Sequence, residues 1–255
     1  MIKHISSSGL FISYGMLLII ILLTNKENLK ITKDILISFF RMSVQLFFAG
    51  FALLYIFKID NILLTTCVLV VMIFFASRIV IDRSKVSFKN ITLYLFVSIL
   101  ISTSFILLFM LFGVIKLKSF DARYVIPLAG MVIGNSMNSM AINIERFFSK
   151  SKDNKEVIEE LLCLGANRYE ALSFIRMDAF KASLLPSLSS ASGMGIVFLP
   201  GMMTGQILSG INPLESVSYQ IAIVIAIATS VTISNYLILR FIEKSVLNNK
   251  EQLII

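Results

Sequence analysis

The sequence predicts an all-α polytopic membrane protein of about seven transmembrane helices, and three observations predict it. The 255 residues are 57% hydrophobic and only 15% charged, whereas soluble domains carry about a quarter charged residues. Mean hydropathy is +0.88. Apolar stretches of spanning length, roughly 17–25 residues, recur along the chain near residues 9–23, 35–57, 62–81, 91–115, 124–144, 184–208 and 219–241. The chain is read as one transmembrane domain over 1–255 in the cell (plasma or inner) membrane, with a cytoplasmic loop over 145–183.

The first stretch is expected to be a retained span. Its apolar run from Leu10 to Leu23 is long, and no small-x-small cleavage site precedes Asn25-Lys26-Glu27. The second and third spans are separated by a short outer loop, 58–61, and the fourth and fifth by 116–123. With the N-terminus outside, the outer side holds only Lys3, Lys58, Lys116, Lys118 and Arg123 of the 23 lysines and arginines, and Arg41 lies within a span. Positive charge collects on the cytoplasmic side, so the expected orientation is N-out, C-in. The net charge of +8 is then a matter of topology. Its spread over several cytoplasmic segments argues against nucleic acid as a partner.

In the second span Arg41 and Gln45 stand one turn apart. Arg41 either snorkels to the headgroups or pairs with a cytoplasmic-side carboxylate, of which Glu145 is the candidate. In the fifth span Met131, Gly134, Asn135 and Asn138 share a helix face, with Glu145 further along the same stripe. Gly130 and Gly134 form a small-xxx-small pair that suits close helix approach. Asn135 and Asn138 either glue helices together or line a pathway.

The sixth span carries Leu199-Pro200-Gly201-Met202-Met203-Thr204-Gly205-Gln206. Proline removes a helix hydrogen bond and clashes with the preceding turn, so a break or kink is expected near Leu199. Gly201 and Gly205 form a second small-xxx-small pair. Met202, Gly205, Gln206 and Ser209 then fall on one face, with Met203 beside them. Thioethers suit soft transition metals, but methionine also fills cores, and both readings stand.

The loop over 145–183 is amphipathic. Val157, Ile158, Leu161, Leu162 and Leu164 recur at helical spacing, Gly165-Ala166-Asn167 offers a turn, and Tyr169, Leu172 and Ile175 resume the pattern. Two short helices with a bend are expected. They either rest on lipid or serve another role, since Glu156, Glu159, Glu160 and Glu170 interrupt the basic face that a lipid-surface helix favours.

Several function classes are excluded. No GxxxxGK[ST] loop, HExxH or GxSxG pattern occurs, and the one histidine is His4, so the chain is not read as an enzyme. Cys67 and Cys163 fall in different environments, which implies no disulfide. The acidic residues Asp34, Asp60, Asp82, Asp121, Glu145, Asp178, Glu215 and Glu243 lie at segment ends or in loops. Ion-coupled carriers place ionisable groups inside the membrane, so a transporter of this composition must draw its energy elsewhere.

Five blocks resemble one family: Arg41-Met42-Ser43-Val44-Gln45-Leu46, Gly130 to Asn138, Glu159 to Ala166, Leu199 to Leu208 and Tyr219-Gln220-Ile221. The chain resembles the permease subunits of Fet-type iron-export ABC transporters, a family that includes plant aluminium-sensitivity permeases. The resemblance implies a homodimeric permease that binds no cofactor itself. ATP would act through a separate cytoplasmic ABC ATPase subunit, and the exported cargo would be iron or another metal ion. It also implies a loop docking on the ATPase: Glu159-Glu160-Leu161 precedes Gly165 and Ala166 with the glycine spacing of the EAA loop of ABC permeases. The Ala, Ala and Pro of that pattern are absent, and Ile175-Arg176-Met177-Asp178 stands where I-x-L-P would fall. The transport pathway would then involve Arg41, Gln45, Met131, Asn135, Asn138, Met202, Met203, Thr204 and Gln206, with Gly130, Gly134, Pro200, Gly201 and Gly205 as packing and hinge positions. A permease for a small polar organic cargo such as a sugar nucleotide, or a membrane scaffold without transport, are the alternatives.

Overall fold

The computed structural model describes residues 6–29, 31–86, 88, 90–117 and 119–246. Lys3, His4, Lys30, Lys89, Lys118 and Lys250 lie outside the described residues. The chain divides into two compact units. One comprises Met1–Asp60 with Leu208–Gly210, the other Asn61–Ile207 with Ile211–Ile255.

The first unit holds α1 (Ser7–Lys26) and α2 (Thr32–Ile59). Ser6 caps α1 by accepting the Gly9 N–H at 3.3 Å. The two helices are linked by a hydrogen bond between the Tyr14 and Ser43 hydroxyls. Their apolar side chains are exposed all round, Phe40, Phe47, Phe48 and Leu54 among them. Such surface on a helix of spanning length is suited to lipid rather than water.

The second unit is built around α5 (Ala122–Asp153), which packs against α3 (Ile62–Ser84), α4 (Ile91–Leu108), α8 (Ser173–Gly193) and α10 (Pro213–Val246). Asn61 and Asp121 cap α3 and α5 by accepting N–H groups at 2.8 Å. Leu95 and Ile99 of α4, Val132, Met140 and Ile144 of α5, and Ile223 and Ile238 of α10 form the buried centre. Small hydroxylated residues lie between them, including Ser77, Ser98, Ser136, Ser139 and Ser230, all buried. They let helix backbones approach where lipid provides no hydrophobic drive for association. α4 runs on into a π-helical turn, Phe109–Val114.

Among the described residues six helices are long and apolar enough to cross a membrane: α1, α2, α3, α4 with its π-helical turn, α5 and α10. The sixth expected span, 184–208, is not among them. α8 ends at Gly193, residues 194–200 are non-helical, and a short α9 (Gly201–Leu208) follows. The break is therefore wider than a proline kink at Leu199. Gly195, at φ +84°, makes the turn, closed by its N–H to the Phe198 carbonyl at 3.0 Å and by Val197 N–H to the Gly193 carbonyl at 2.8 Å. Pro186 sits inside α8 without ending it. The two short helices expected in the loop are α6 (Lys155–Cys163) and the single turn α7 (Arg168–Ala171), after which α8 begins.

Candidate functional site

The helix break meets the polar stripe of α5 across a cavity of about 350 Å3. Met131, Asn135 and Asn138 form one wall, Pro200, Gly201 and Met202 another. Ser187, Ser190 and Met194 contribute from the α8 side, and Gln220, Val224 and Ala228 from α10. The stripe is the face that α5 turns away from its core. Asn135, Asn138 and Glu145 are exposed, while Val132, Ile133, Ser136 and Ser139 are buried.

The asparagines of the stripe do not glue α5 to α8 or α10. Asn135 donates to its own helix, at the Met131 carbonyl, 2.8 Å away. Asn138 accepts from the Arg83 guanidinium of α3. Bonding of α5 to α8 and α10 rests on other side chains. Asn143 donates to Asn235 Oδ1 at 2.7 Å, Asn235 donates to Ser139 Oγ at 2.7 Å, and Ser139 donates to the Ser183 carbonyl at 2.7 Å. Ser136 and Ser230 meet at 3.1 Å. Sequence reasoning passed over all of these. A polar residue in an apolar helix announces that it needs a partner, not which helix supplies it.

The expected close approaches at the glycine pairs are not made within the chain. A Cβ on Gly130 would lie 3.5 Å from Met72 Cε, an ordinary contact. A Cβ on Gly134, Gly201 or Gly205 would meet nothing within 4 Å. The grouping of Met202 with its neighbours also separates. Met203 is buried and lines a second cavity of about 350 Å3 with Leu199 and Val217. Thr204 donates to the Pro200 carbonyl at 3.0 Å, and Gln206 is half-buried. Arg41 and Gln45 belong to the other unit, exposed on α2.

Chemically the first cavity is neutral. It presents the thioethers of Met131, Met194 and Met202, the carboxamides of Asn135, Asn138 and Gln220, and serine hydroxyls. Gln220 is nearly buried and donates to Met194 Sδ at 3.8 Å. Met194 and Gln220 were not singled out from the sequence as pathway residues, although Gln220 sits in one of the five blocks. Among the described residues no group of three or more His, Cys, Asp or Glu could hold a metal ion. No carboxylate, imidazole or thiol among the described residues lines this cavity.

A family profile described as "Uncharacterised protein family (UPF0014)" matches residues 7–247. The chain belongs to the UPF0014 family. It is 30% identical over 253 residues to the "Probable iron export permease protein FetB" of Escherichia coli strain K12, covering 99% of this chain and 96% of that protein. It is 33% identical over 242 residues to the "UPF0014 membrane protein slr1647" of Synechocystis, covering 94% and 93%. It is 30% identical over 218 residues to the "Protein ALUMINUM SENSITIVE 3" of Arabidopsis thaliana, covering 86% and 79%. No solved structure matches the chain. This UPF0014 chain is thus a multi-pass membrane protein.

The second candidate region of the UPF0014 chain is α6, α7 and what they touch. Ile158 is buried, Glu159 and Glu160 are exposed, and Leu161 is half-buried. Glu159 pairs with Lys155 at 3.7 Å, one turn back. α6 ends in a Schellman turn: Gly165 N–H donates to Leu162 O at 3.1 Å and Ala166 N–H to Leu161 O at 3.0 Å. Gly165 takes φ +91° there. Asn167 and Glu170 cap α7 reciprocally, at 3.0 and 2.8 Å. The turn between α6 and α7 is therefore pinned on both sides.

α7 and the start of α8 meet the end of α10 through charge. Arg176 pairs with Glu243 at 2.5 Å, and the two side chains are 15% and 7% exposed. The Tyr169 ring lies under both guanidinium groups, 3.6 Å from Arg176 Cζ and 4.6 Å from Arg240 Cζ. Arg240 donates to the Tyr236 hydroxyl at 3.1 Å and sits 3.9 Å from Glu243. Arg168 donates to the Lys244 carbonyl at 3.3 Å. On the other side of α8, Asp178 pairs with Arg146 of α5 at 2.6 Å. The Arg146 hydrogen bond holds the Asp178 carboxyl below the usual carboxylate range. The sequence offers one signal for the buried pair, an acid flanked by Phe241 and Ile242.

Proposed function

We propose that this chain is the permease subunit of an ATP-driven ABC exporter that moves iron, or another metal ion, out of the cytoplasm. One observation carries the reading: the helix break at 194–200 and the Asn135–Asn138 stripe share a cavity. Non-helical backbone at membrane depth is tolerated only where protein or a water-filled cavity covers it, so a break of this kind suits a pathway. The name of the Escherichia coli relative, which the chain matches almost end to end, supports the cargo.

In this reading the protein is N-out, C-in, and α6 and α7 face the cytoplasm. A separate ATPase docks on Glu159, Glu160, Leu161, Gly165 and Ala166, and ATP acts there. Two copies of the permease assemble. Ile196 and Val197, 90% and 80% exposed in the broken segment, are covered by the second copy together with the open faces of Gly134, Gly201 and Gly205. Deleting the gene under iron load should raise intracellular iron, and re-expression should lower it again; unchanged iron in the deletion strain overturns the cargo.

A second reading keeps the permease and changes the cargo to a small polar organic molecule. The cavity volume favours it, because about 350 Å3 falls in the range of small-molecule pockets, roughly 300–1,000 Å3. The Arg83 guanidinium behind Asn138 favours it too, since it disfavours a bare cation. Stimulation of ATP turnover by iron(II), against stimulation by a sugar nucleotide, separates the two.

A further inference from the structure

We propose that Tyr169, Arg176 and Glu243 form the joint through which movement of α6 and α7 reaches the cavity, and that they are positioning residues for transport. The proposal rests on the reading of α6 and α7 as the ATPase-docking element.

Both helices that meet at the joint also line the cavity. α8 carries Arg176 in its first turn and Ser190 about 21 Å further along, at 1.5 Å per residue. α10 carries Glu243 near its end and Gln220 about 35 Å away by the same rise. A displacement applied at the joint is thus delivered by two stiff rods to two walls of one cavity.

The joint is built to transmit rather than merely to pack. Tyr169 belongs to α7, a single helical turn pinned to α6 by the Schellman turn and the reciprocal cap. Its ring lies against Arg176 of α8 and Arg240 of α10, so α7 has a hold on both rods. Apolar residues would bind α8 to α10 at least as firmly as a buried ion pair, but they would slide. The Arg176–Glu243 pair has directional bonds and a high cost of separation in a low-dielectric site, which favours movement as one body. The Arg146–Asp178 pair ties the same stretch of α8 to α5, which supplies the third wall.

The test uses the full chain co-expressed with the ATP-binding protein that co-purifies with it. Spin labels are placed at Ser187→Cys and Val224→Cys, with Cys67→Ser and Cys163→Ser removing the native thiols. The distance between the labels is measured by electron paramagnetic resonance with and without a non-hydrolysable ATP analogue. The unaltered joint should show a shift in label distance on adding the nucleotide. Arg176→Glu, Glu243→Arg and Tyr169→Ala should retain the ATPase and lose the shift. Tyr169→Phe and the double exchange R176E/E243R should keep it. If a single charge variant fails to fold, the Tyr169→Ala and Tyr169→Phe pair decides, because Tyr169 is 45% exposed. A full shift in Tyr169→Ala or Arg176→Glu overturns the joint, as does an unaltered protein that binds the ATPase and shows no shift. Loss of ATPase binding in the variants alone also overturns it, by making these residues part of the docking surface. Failure of the unaltered chain to bind any ATPase is a different result: it removes the docking reading, and the joint falls with it.

Discussion

Asn143 on α5 donates its side-chain amide to Asn235 Oδ1 on α10 at 2.7 Å, with both side chains fully buried. Asn235 in turn donates to Ser139, whose hydroxyl reaches the Ser183 carbonyl of α8. One short chain of hydrogen bonds therefore holds the three helices that wall the cavity. It lies on the buried side of α5, and its Ser139 also lines the cavity.

Asn235→Leu takes the Oδ1 acceptor from the Asn143 amide and the amide donor from the Ser139 hydroxyl, which keeps its bond to the Ser183 carbonyl. It should lower stability by about 1–3 kcal/mol. The double variant N143L/N235L should lose less than the sum of the single losses, because it removes both ends of the bond. Unfolding in detergent micelles measures this; additive losses would show that the two asparagines do not act as a pair.

Gly165 closes α6 with φ +91°. A Cβ there has room but sits in the left-handed region, which costs an L-residue roughly 1–2 kcal/mol. Gly165→Val should loosen the α6–α7 turn and weaken retention of the ATPase, with Gly165→Asn milder. Amide exchange across 161–167 and co-purification report it. Unchanged exchange and unchanged ATPase retention in Gly165→Val would remove the rigid turn from the coupling account.

The two adjacent methionines make an internal control. Met202 lines the cavity with the asparagines, and Met203 lines the other cavity. Leucine replaces methionine at similar volume, generally for less than about 1.5 kcal/mol. Met202→Leu should reduce iron efflux several-fold, and Met203→Leu should leave it near normal. Equal effects at both positions would mean that the thioethers serve packing alone.

Much of this architecture is legible in the sequence, and the exceptions have physical reasons. Hydropathy locates α1 to α5 and α10 because each is a continuous apolar run. The stripe of Met131, Asn135 and Asn138 is legible because helical spacing places them on one face whatever that face touches. The break in the sixth stretch contains Leu199 but is wider than the proline signal suggests. Pro186 and Pro127 both sit inside helices, while the turn falls at Gly195, which adopts φ +84°. The Arg176–Glu243 and Asn143–Asn235 pairs join residues 67 and 92 positions apart, and nothing local in either partner specifies the other. The glycine pairs mark surfaces that allow close approach, and among the described residues none comes close to Gly134, Gly201 or Gly205.

The exposed segment at Ile196 and Val197 gives a direct test of the proposed dimer. With Cys67→Ser and Cys163→Ser in place, Ile196→Cys should form a cross-linked dimer in native membranes. A cysteine placed at lipid-facing Phe48 should not. A protein that is dimeric by mass yet cross-links only through Phe48→Cys would place the interface on α2 instead.

The central claim is that this chain moves metal when ATP is turned over by a bound partner. The most direct measurement is iron(II) accumulation inside liposomes containing the permease and its co-purifying ATPase, with the ATPase facing outward and ATP added outside. The account predicts ATP-dependent accumulation in the lumen, reduced several-fold in Met202→Leu, reduced in Gly165→Val and kept in Met203→Leu. Iron entry that is the same with and without ATP contradicts it.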